Sequence, residues 1–212
     1  MGNAVAHDSA QPRNLDRANS ENLTSVDRRF DATNYLAKTS DIVALMTLEH
    51  QTRMTNLMIR TAWDARVALY KDKLDSEASE RIDGDVEAMV NYMLFADEAR
   101  IYDQIHGVSS FTTTFPQRGP RDRQGRSLRD FDLQTRMFKY PLSYMIYSET
   151  FDAMPDVVRE RVYRRLYDVL SGTDRSKTFS RLSDGDRRAI LEILLDTKPG
   201  LPAYWKTSAE TR

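Results

Sequence analysis

The chain of 212 residues contains no cysteine. That excludes disulfides, thiolate metal sites, Fe–S clusters and a C-x-x-C-H haem attachment within these residues. It leaves the compartment open, because an exported helical domain can dispense with disulfides. Histidine is also scarce, with only His7, His50 and His106. So few imidazoles leave acid–base chemistry thinly supplied, and no G-x-S-x-G elbow supports a nucleophilic serine. Charge of one sign is lacking too: 31 basic against 32 acidic side chains give a net charge of −1. A chain so balanced has no general attraction to nucleic acid or to acidic membranes. No apolar run approaches bilayer length, so no transmembrane segment is expected. The opening stretch MGNAVAHDSAQPRNLDRANSENL lacks the basic start and apolar core of a signal peptide. Met-Gly does not make a myristoylation signal, because Ala6 stands where serine or threonine is required. The chain is thus expected to be cytosolic, or else a piece of a longer exported protein and then periplasmic.

What the sequence does hold is helical periodicity. From about Asp41 to Leu74, Val43, Met46, His50, Met54, Leu57, Thr61, Ala65 and Ala68 recur at steps of three or four. Ile42, Leu45, Leu48, Met58 and Ala62 widen that face. A helix of this length spans on the order of 50 Å and becomes the spine for the shorter ones. Thr39 and Ser40 offer its N-cap, with Asp41 in the first turn. A second helix is expected from about Ser79 to Ile105, buried through Ile82, Val86, Met89, Val90, Met93, Leu94 and Ile101, forming an antiparallel hairpin with the first. The pattern then stops. GVSSFTTTFPQRGPRDRQGRSL, Gly107 to Leu128, is long for a structureless loop, although Phe111 and Phe115 can pin it and FTTTF could form a short strand. A helical region is expected to resume near Arg129, with a new helix from Pro141 to about Ala153 carrying an aromatic stripe of Tyr140, Tyr144, Tyr147 and Phe151. Pro155 opens a helix to Leu170, stopped by Gly172. Ser183 and Asp186 resemble a capping box for a last helix to about Thr197. Leu201, Pro202, Tyr204 and Trp205 form an apolar tail expected to fold back.

The expected architecture is all-α: a single-domain bundle of about five or six helices around a long central helix, with a long Arg-rich loop. Residues 1–29 read as a flexible polar linker or tail, 30–205 as the bundle and 206–212 as a flexible end.

His50 interrupts the apolar stripe beside Glu49. It could serve as a haem or metal ligand or as a proton carrier, but a core histidine hydrogen-bonded to a neighbouring helix is the simpler reading. Asp103 and His106 stand three apart and could join His50 in a metal site, although charged residues at a helix end commonly serve the helix itself. Arg118, Arg121, Arg123, Arg126 and Arg129 make the densest basic patch, able to grip carboxylates or phosphates. Asp122, Asp130 and Asp132 are interleaved and can instead hold the loop to the body. Gly119-Pro120 and Gly125 are not followed by the G-K-[ST] of a P-loop. Tyr140 and its stripe could stack on a flat ligand, but such stripes more often form core.

Four segments, YLAKTSDIVALMTLEHQTRMTNLMIR, GPRDRQGRSLRDFDLQTRMFKYPLSYMIYS, FDAMPDVVRERVYRRLYDVLSG and LLDTKPGLPAYW, resemble a largely uncharacterised bacterial domain found as the C-terminal part of exported proteins associated with c-type cytochromes. The resemblance spans about Phe30 to Trp205. It implies a periplasmic setting and an electron-transfer context, with haem carried elsewhere and a c-type cytochrome domain as partner. No family catalytic residue carries over. The expected role is non-catalytic docking or structural support of redox partners. The alternative is a ligand-binding module holding an anion, a metal or non-covalent haem through His50 and the 118–129 loop. An enzyme using His50 and Glu49 comes third.

Overall fold

The computed structural model describes residues 5–6, 15–16, 25, 30–35 and 37–207. The expected flexible segments at 1–29 and 206–212, and His7, fall mostly outside these. Within them lie only a two-residue antiparallel pairing of Val5–Ala6 with Leu15–Asp16, Ser25, and the last turn at Lys206 and Thr207.

The fold is an all-α single domain. Its elements are α1 (Ile42–Tyr70), α2 (Ser76–Met93), α3 (Phe111–Gln117), α4 (Glu149–Asp152), α5 (Asp156–Leu170), α6 (Asp184–Thr197) and α7 (Tyr204–Thr207), with short 3-10 turns at Tyr144–Tyr147 and Lys177–Phe179. The spine α1 is 29 residues long, about 44 Å. It packs on α2, and α2 on α5, with α3, α4 and α5 also reaching α1. Arg60 meets Asp85, and His50 meets Tyr92, so α1 and α2 run antiparallel.

The ends of α1 differ from the sequence reading. Asp41, rather than Thr39 or Ser40, is the N-cap, its carboxylate accepting the Val43 and Ala44 amides at 2.9 and 3.2 Å. The helix stops at Tyr70, capped by Lys71, a turn short of Leu74. There Asp72 turns left-handed (φ 50°), its amide donating to the Leu69 carbonyl and the Lys73 amide to that of Ala68. The stripe also needs correction. Val43, His50, Met54, Met58, Thr61, Ala62, Ala65 and Ala68 are buried, but Leu48 lies on the solvent side.

The second helix begins earlier, capped by Asp75, and ends at Met93 instead of Ile105. Phe95 adopts the left-handed conformation (φ 54°), with the same closing bonds as at Asp72: Phe95 amide to Tyr92 carbonyl and Ala96 amide to Asn91 carbonyl. Ile101 and Ile105 then donate their amides to Thr135 and Leu133 of the later loop. FTTTF is neither strand nor loop but the core of α3.

No helix starts at Arg129, and none runs through 141–153. Side chains compete for the amides a helix would need. Asp130 accepts the Ser127 amide, and Asp132 accepts those of Gln134 and Thr135. Leu133 turns left-handed (φ 61°), and Phe131 bridges to Phe138. Ser143 and Ser148 each cap a new short turn, so Tyr140, Tyr144, Tyr147 and Phe151 share no single helical face.

The C-terminal half follows the pattern. On α5, Val158, Val162, Leu166, Val169 and Leu170 are buried as expected, joined by Tyr163, and Gly172 has φ 82°. The capping box of Ser183 and Asp186 forms at the start of α6, which buries Ile190, Ile193 and Leu194. Trp205 folds back against Tyr163 and Tyr167. Arg187 is buried although no sequence pattern marks it. Its guanidinium donates to the carbonyls of Val169, Phe179, Leu182 and Asp174, tying the end of α5 to α6 through backbone alone. Replacing it strands several buried acceptors at once. Arg187→Met is therefore expected to lower unfolding free energy by about 3 kcal/mol, measurable by urea denaturation.

Candidate functional site

Of the residues singled out for chemistry, His50 lies in an aromatic cluster on the inner side of α1 and the others are spread around it. His50 is buried, and its Nε2 lies 2.7 Å from the Ser143 hydroxyl. Its partner is thus not a neighbouring helix but the loop residue that opens the 3-10 turn. Ser143 is itself fixed: its amide donates to the Met93 carbonyl at 2.8 Å, and its hydroxyl accepts the Met145 amide at 3.2 Å. The imidazole is sandwiched between the Tyr92 ring (5.2 Å, 19° between planes) and the Phe95 ring (4.8 Å, 24°). Phe138 and Tyr144 close in at 6.1 and 6.0 Å. Burial pushes the His50 pKa down to about 4 from 6.5, so at neutral pH it is an uncharged imidazole.

Phe95 stands where a helix normally ends in glycine, because a side chain at positive φ is strained. That strain places its ring on His50 and within 5.6 Å of Phe138. Beside this stack opens a cavity of about 600 Å³, lined by Glu49, His50, Arg53, Asn91, Tyr92 and Glu98 among others. Glu49 is exposed at its mouth. Arg53 lies over the Tyr92 ring at 5.1 Å. Burial raises the Glu98 carboxyl pKa despite the hydrogen bond from the Met137 amide.

The arginine loop is mostly occupied with its own structure. Arg121 reaches Asp130 at 3.0 Å and the carbonyls of Pro116 and Gly125. Arg123 donates Nε and Nη2 to Asp196 of α6, at 3.0 and 2.7 Å. Arg126 bridges Asp122 (2.6 Å) and Glu192 of α6 (2.7 Å). Burial works against the Asp122 carboxylate, yet the Arg126 hydrogen bonds and the backbone amides around it hold its pKa below the ordinary value. These bonds fasten the loop to α6. Arg129 differs: its guanidinium carbon lies 5.0 Å from the ring centres of both Phe115 and Tyr144. Tyr144 links it to His50, so one end of the loop does approach that histidine, whereas Arg121, Arg123 and Arg126 are engaged elsewhere. Arg118 is exposed, and Tyr140 is buried with Lys139 over its ring at 5.5 Å.

The proposed metal set does not assemble. Asp103 and His106 are exposed while His50 is buried, and among the described residues no group of three or more His, Asp or Glu is placed to hold a metal ion. The residues that define the cluster, Ser143, Tyr92 and Phe95, were not singled out from the sequence. No signal in the sequence marks them, because the apolar pattern of the second helix continues past Phe95 to Ile101.

Two measurements check this geometry. Phe95→Gly relieves the left-handed backbone but removes the ring from His50, so it is expected to destabilise by about 2 kcal/mol. Asp72→Gly, at the equivalent position of α1 with no ring contact, is expected to be neutral or stabilising by about 0.5 kcal/mol. The folded pKa of His50 lies below its unfolded value, so the unfolded state binds the proton more readily. The stability due to neutral His50 is complete above about pH 6.5 and is lost as pH falls toward 4, by up to about 3 kcal/mol. Urea melts across that window should show the slope in the parent chain and a flatter one in His50→Gln. No family model, curated protein or solved structure matches this chain.

Proposed function

We propose that this chain is a non-catalytic docking domain whose recognition surface is the outer face of α1. One observation carries the reading. Leu48, Ile59, Trp63 and Tyr70 fall along one line of the helix, opposite the buried stripe, and are 57, 54, 65 and 92% exposed. A helix apolar on both faces has more apolar surface than its own core uses, and tryptophan and tyrosine are the side chains that most often anchor protein interfaces. Thr52 and Thr55 fill the line between Leu48 and Ile59, and its one charged member, Arg66 between Trp63 and Tyr70, donates to the Ala153 carbonyl at 2.8 Å.

The polar groups support the same reading from the other side. His50 is neutral and stacked, and the loop arginines Arg121, Arg123 and Arg126 are bound to carboxylates of the chain itself. Neither makes an assembled catalytic set. Among the described residues no helix is long and apolar enough to cross a membrane, so the exposed line of α1 is not part of a bilayer-spanning helix. The resemblance supplies the partner: a c-type cytochrome domain, with this chain in a periplasmic, electron-transfer setting and carrying no haem of its own.

The test is calorimetric titration of the chain with a purified c-type cytochrome domain from the same source. Saturable binding is expected, weakened at least about tenfold by Trp63→Ala, with the melting temperature unchanged because Trp63 has little packing to lose. Binding indifferent to Trp63→Ala would move the interface off α1. No binding to the haem-bearing domain would discard the cytochrome partner.

A further inference from the structure

We propose that Arg118 and Arg129 form a binding site for a small oxyanion, a carboxylate or a phosphate, where the end of α3 meets the 127–130 turn. The argument begins with how the loop's other arginines are used. Arg121, Arg123, Arg126 and Arg136 each pair with at least one carboxylate of the chain. Arg118 and Arg129 are the exceptions in this segment: among the described residues, neither side chain meets a carboxylate or any hydrogen-bond acceptor. The carboxylate nearest in sequence, Asp130, is turned away toward Arg121 and the Ser127 amide.

Arg129 is nonetheless held in place. Its amide donates to the Ser127 hydroxyl at 3.2 Å. Its stem lies against Gly119, where an added Cβ would come within 3.0 Å of the Arg129 Cδ and 3.2 Å of its Cγ. The Phe115 and Tyr144 rings lie against its guanidinium, and Nε is buried with no partner. A guanidinium fixed in this way has already lost the rotamer freedom that an ion pair normally costs. An added Cβ at Gly119 would collide first with the Ser127 hydroxyl oxygen, at 2.7 Å, the same group that accepts the Arg129 amide, so Gly119 gives room to the whole turn.

The electrostatics point the same way. Burial lowers the Arg129 pKa, and the neighbouring charge of Arg118 lowers it further. Two like charges, one half-buried and neither neutralised by the chain, form a local field that an anion relieves. Arginine offers donors and no acceptor, so the complementary group is one with at least two acceptor oxygens. The two ring centres lie 5.0 Å apart, so both rings sit on one side of the Arg129 guanidinium and the other side is left for the ligand. This site includes neither His50 nor the three arginines fastened to other parts of the chain, and it stands independently of the docking face on α1.

The experiment uses the whole chain in chloride buffer of constant ionic strength, titrated by calorimetry with inorganic phosphate and, separately, with acetate. Saturable binding of at least one of the two is expected, and the comparison between them identifies the preferred oxyanion. Arg118→Gln, an exposed change that leaves the ligand-free melting temperature unaltered, should weaken binding at least about tenfold, the effect of losing one charge-assisted hydrogen bond. Arg129→Lys keeps the charge but loses the planar fork, and should weaken it comparably. The proposal is overturned if neither anion binds saturably, or if either variant binds as tightly as the parent.

Discussion

The hydrogen bond between His50 and Ser143 joins two parts of the chain that have little else in common. One is the most regular segment, α1. The other is the long stretch from 94 to 143, which has only a short helix and turns. At 2.7 Å, inside a cluster of aromatic rings, this bond is shielded from water and costly to leave unmade. Around it the ends of several elements are fixed: Phe95 from the end of α2, Phe138 from the loop, and Tyr144 from the turn that Ser143 caps. Phe115 of α3 packs edge-on against Tyr144, so even the short third helix is positioned through the same centre. The irregular segment has no ladder of its own, and its order depends on this cluster and on side chains that bind backbone.

Those side chains explain which parts of the fold could be read from the sequence. The helices α5 and α6 follow the apolar spacing closely, and the Ser183–Asp186 box forms as its spacing implies, because a cap and a helical stripe are local matters settled within a few residues. The region from 94 to 143 is settled over longer distances. Phe95 ends α2 in a conformation that phenylalanine avoids, and its contacts with His50 and Phe138, both far away in sequence, offset that strain. Asp130, Asp132, Ser143 and Ser148 each take amides that a helix from Arg129 or Pro141 would have needed. In the sequence the same residues look like ordinary polar positions within a helical pattern. The arginine loop was legible in part: the interleaved aspartates did turn out to pair with it, but its chief acceptors, Glu192 and Asp196, lie on α6, beyond any local pattern.

Leu48 shows the limit of periodicity in another way. A three-to-four spacing finds the buried stripe of α1, but apolar residues on the opposite side of the same helix blur it, and Leu48 was assigned to the wrong face. The error is informative. A helix that served only as a scaffold would carry polar groups outward, as most of α2 does. On α1 the outward line of Leu48, Ile59, Trp63 and Tyr70 instead departs from the amphipathic rule over much of its length. Apolar exposure in one row along a rigid helix differs from scattered surface leucines, because a partner can bury the whole row without rearranging the fold.

The two unused resources of the molecule therefore differ in kind. The outer face of α1 is apolar, extended and rigid, suited to a macromolecular surface. The Arg118–Arg129 pair is compact, charged and held by aromatic rings, suited to a group of a few atoms. Nearly every other strong interaction is already closed within the chain: Arg187 on four carbonyls, Arg126 on two carboxylates, His50 on Ser143. Buried polar atoms without a partner remain on Asn91, Thr112, Arg136 and Trp205, so it is the ion pairs and the one buried histidine, rather than every polar group, that are committed to holding the fold.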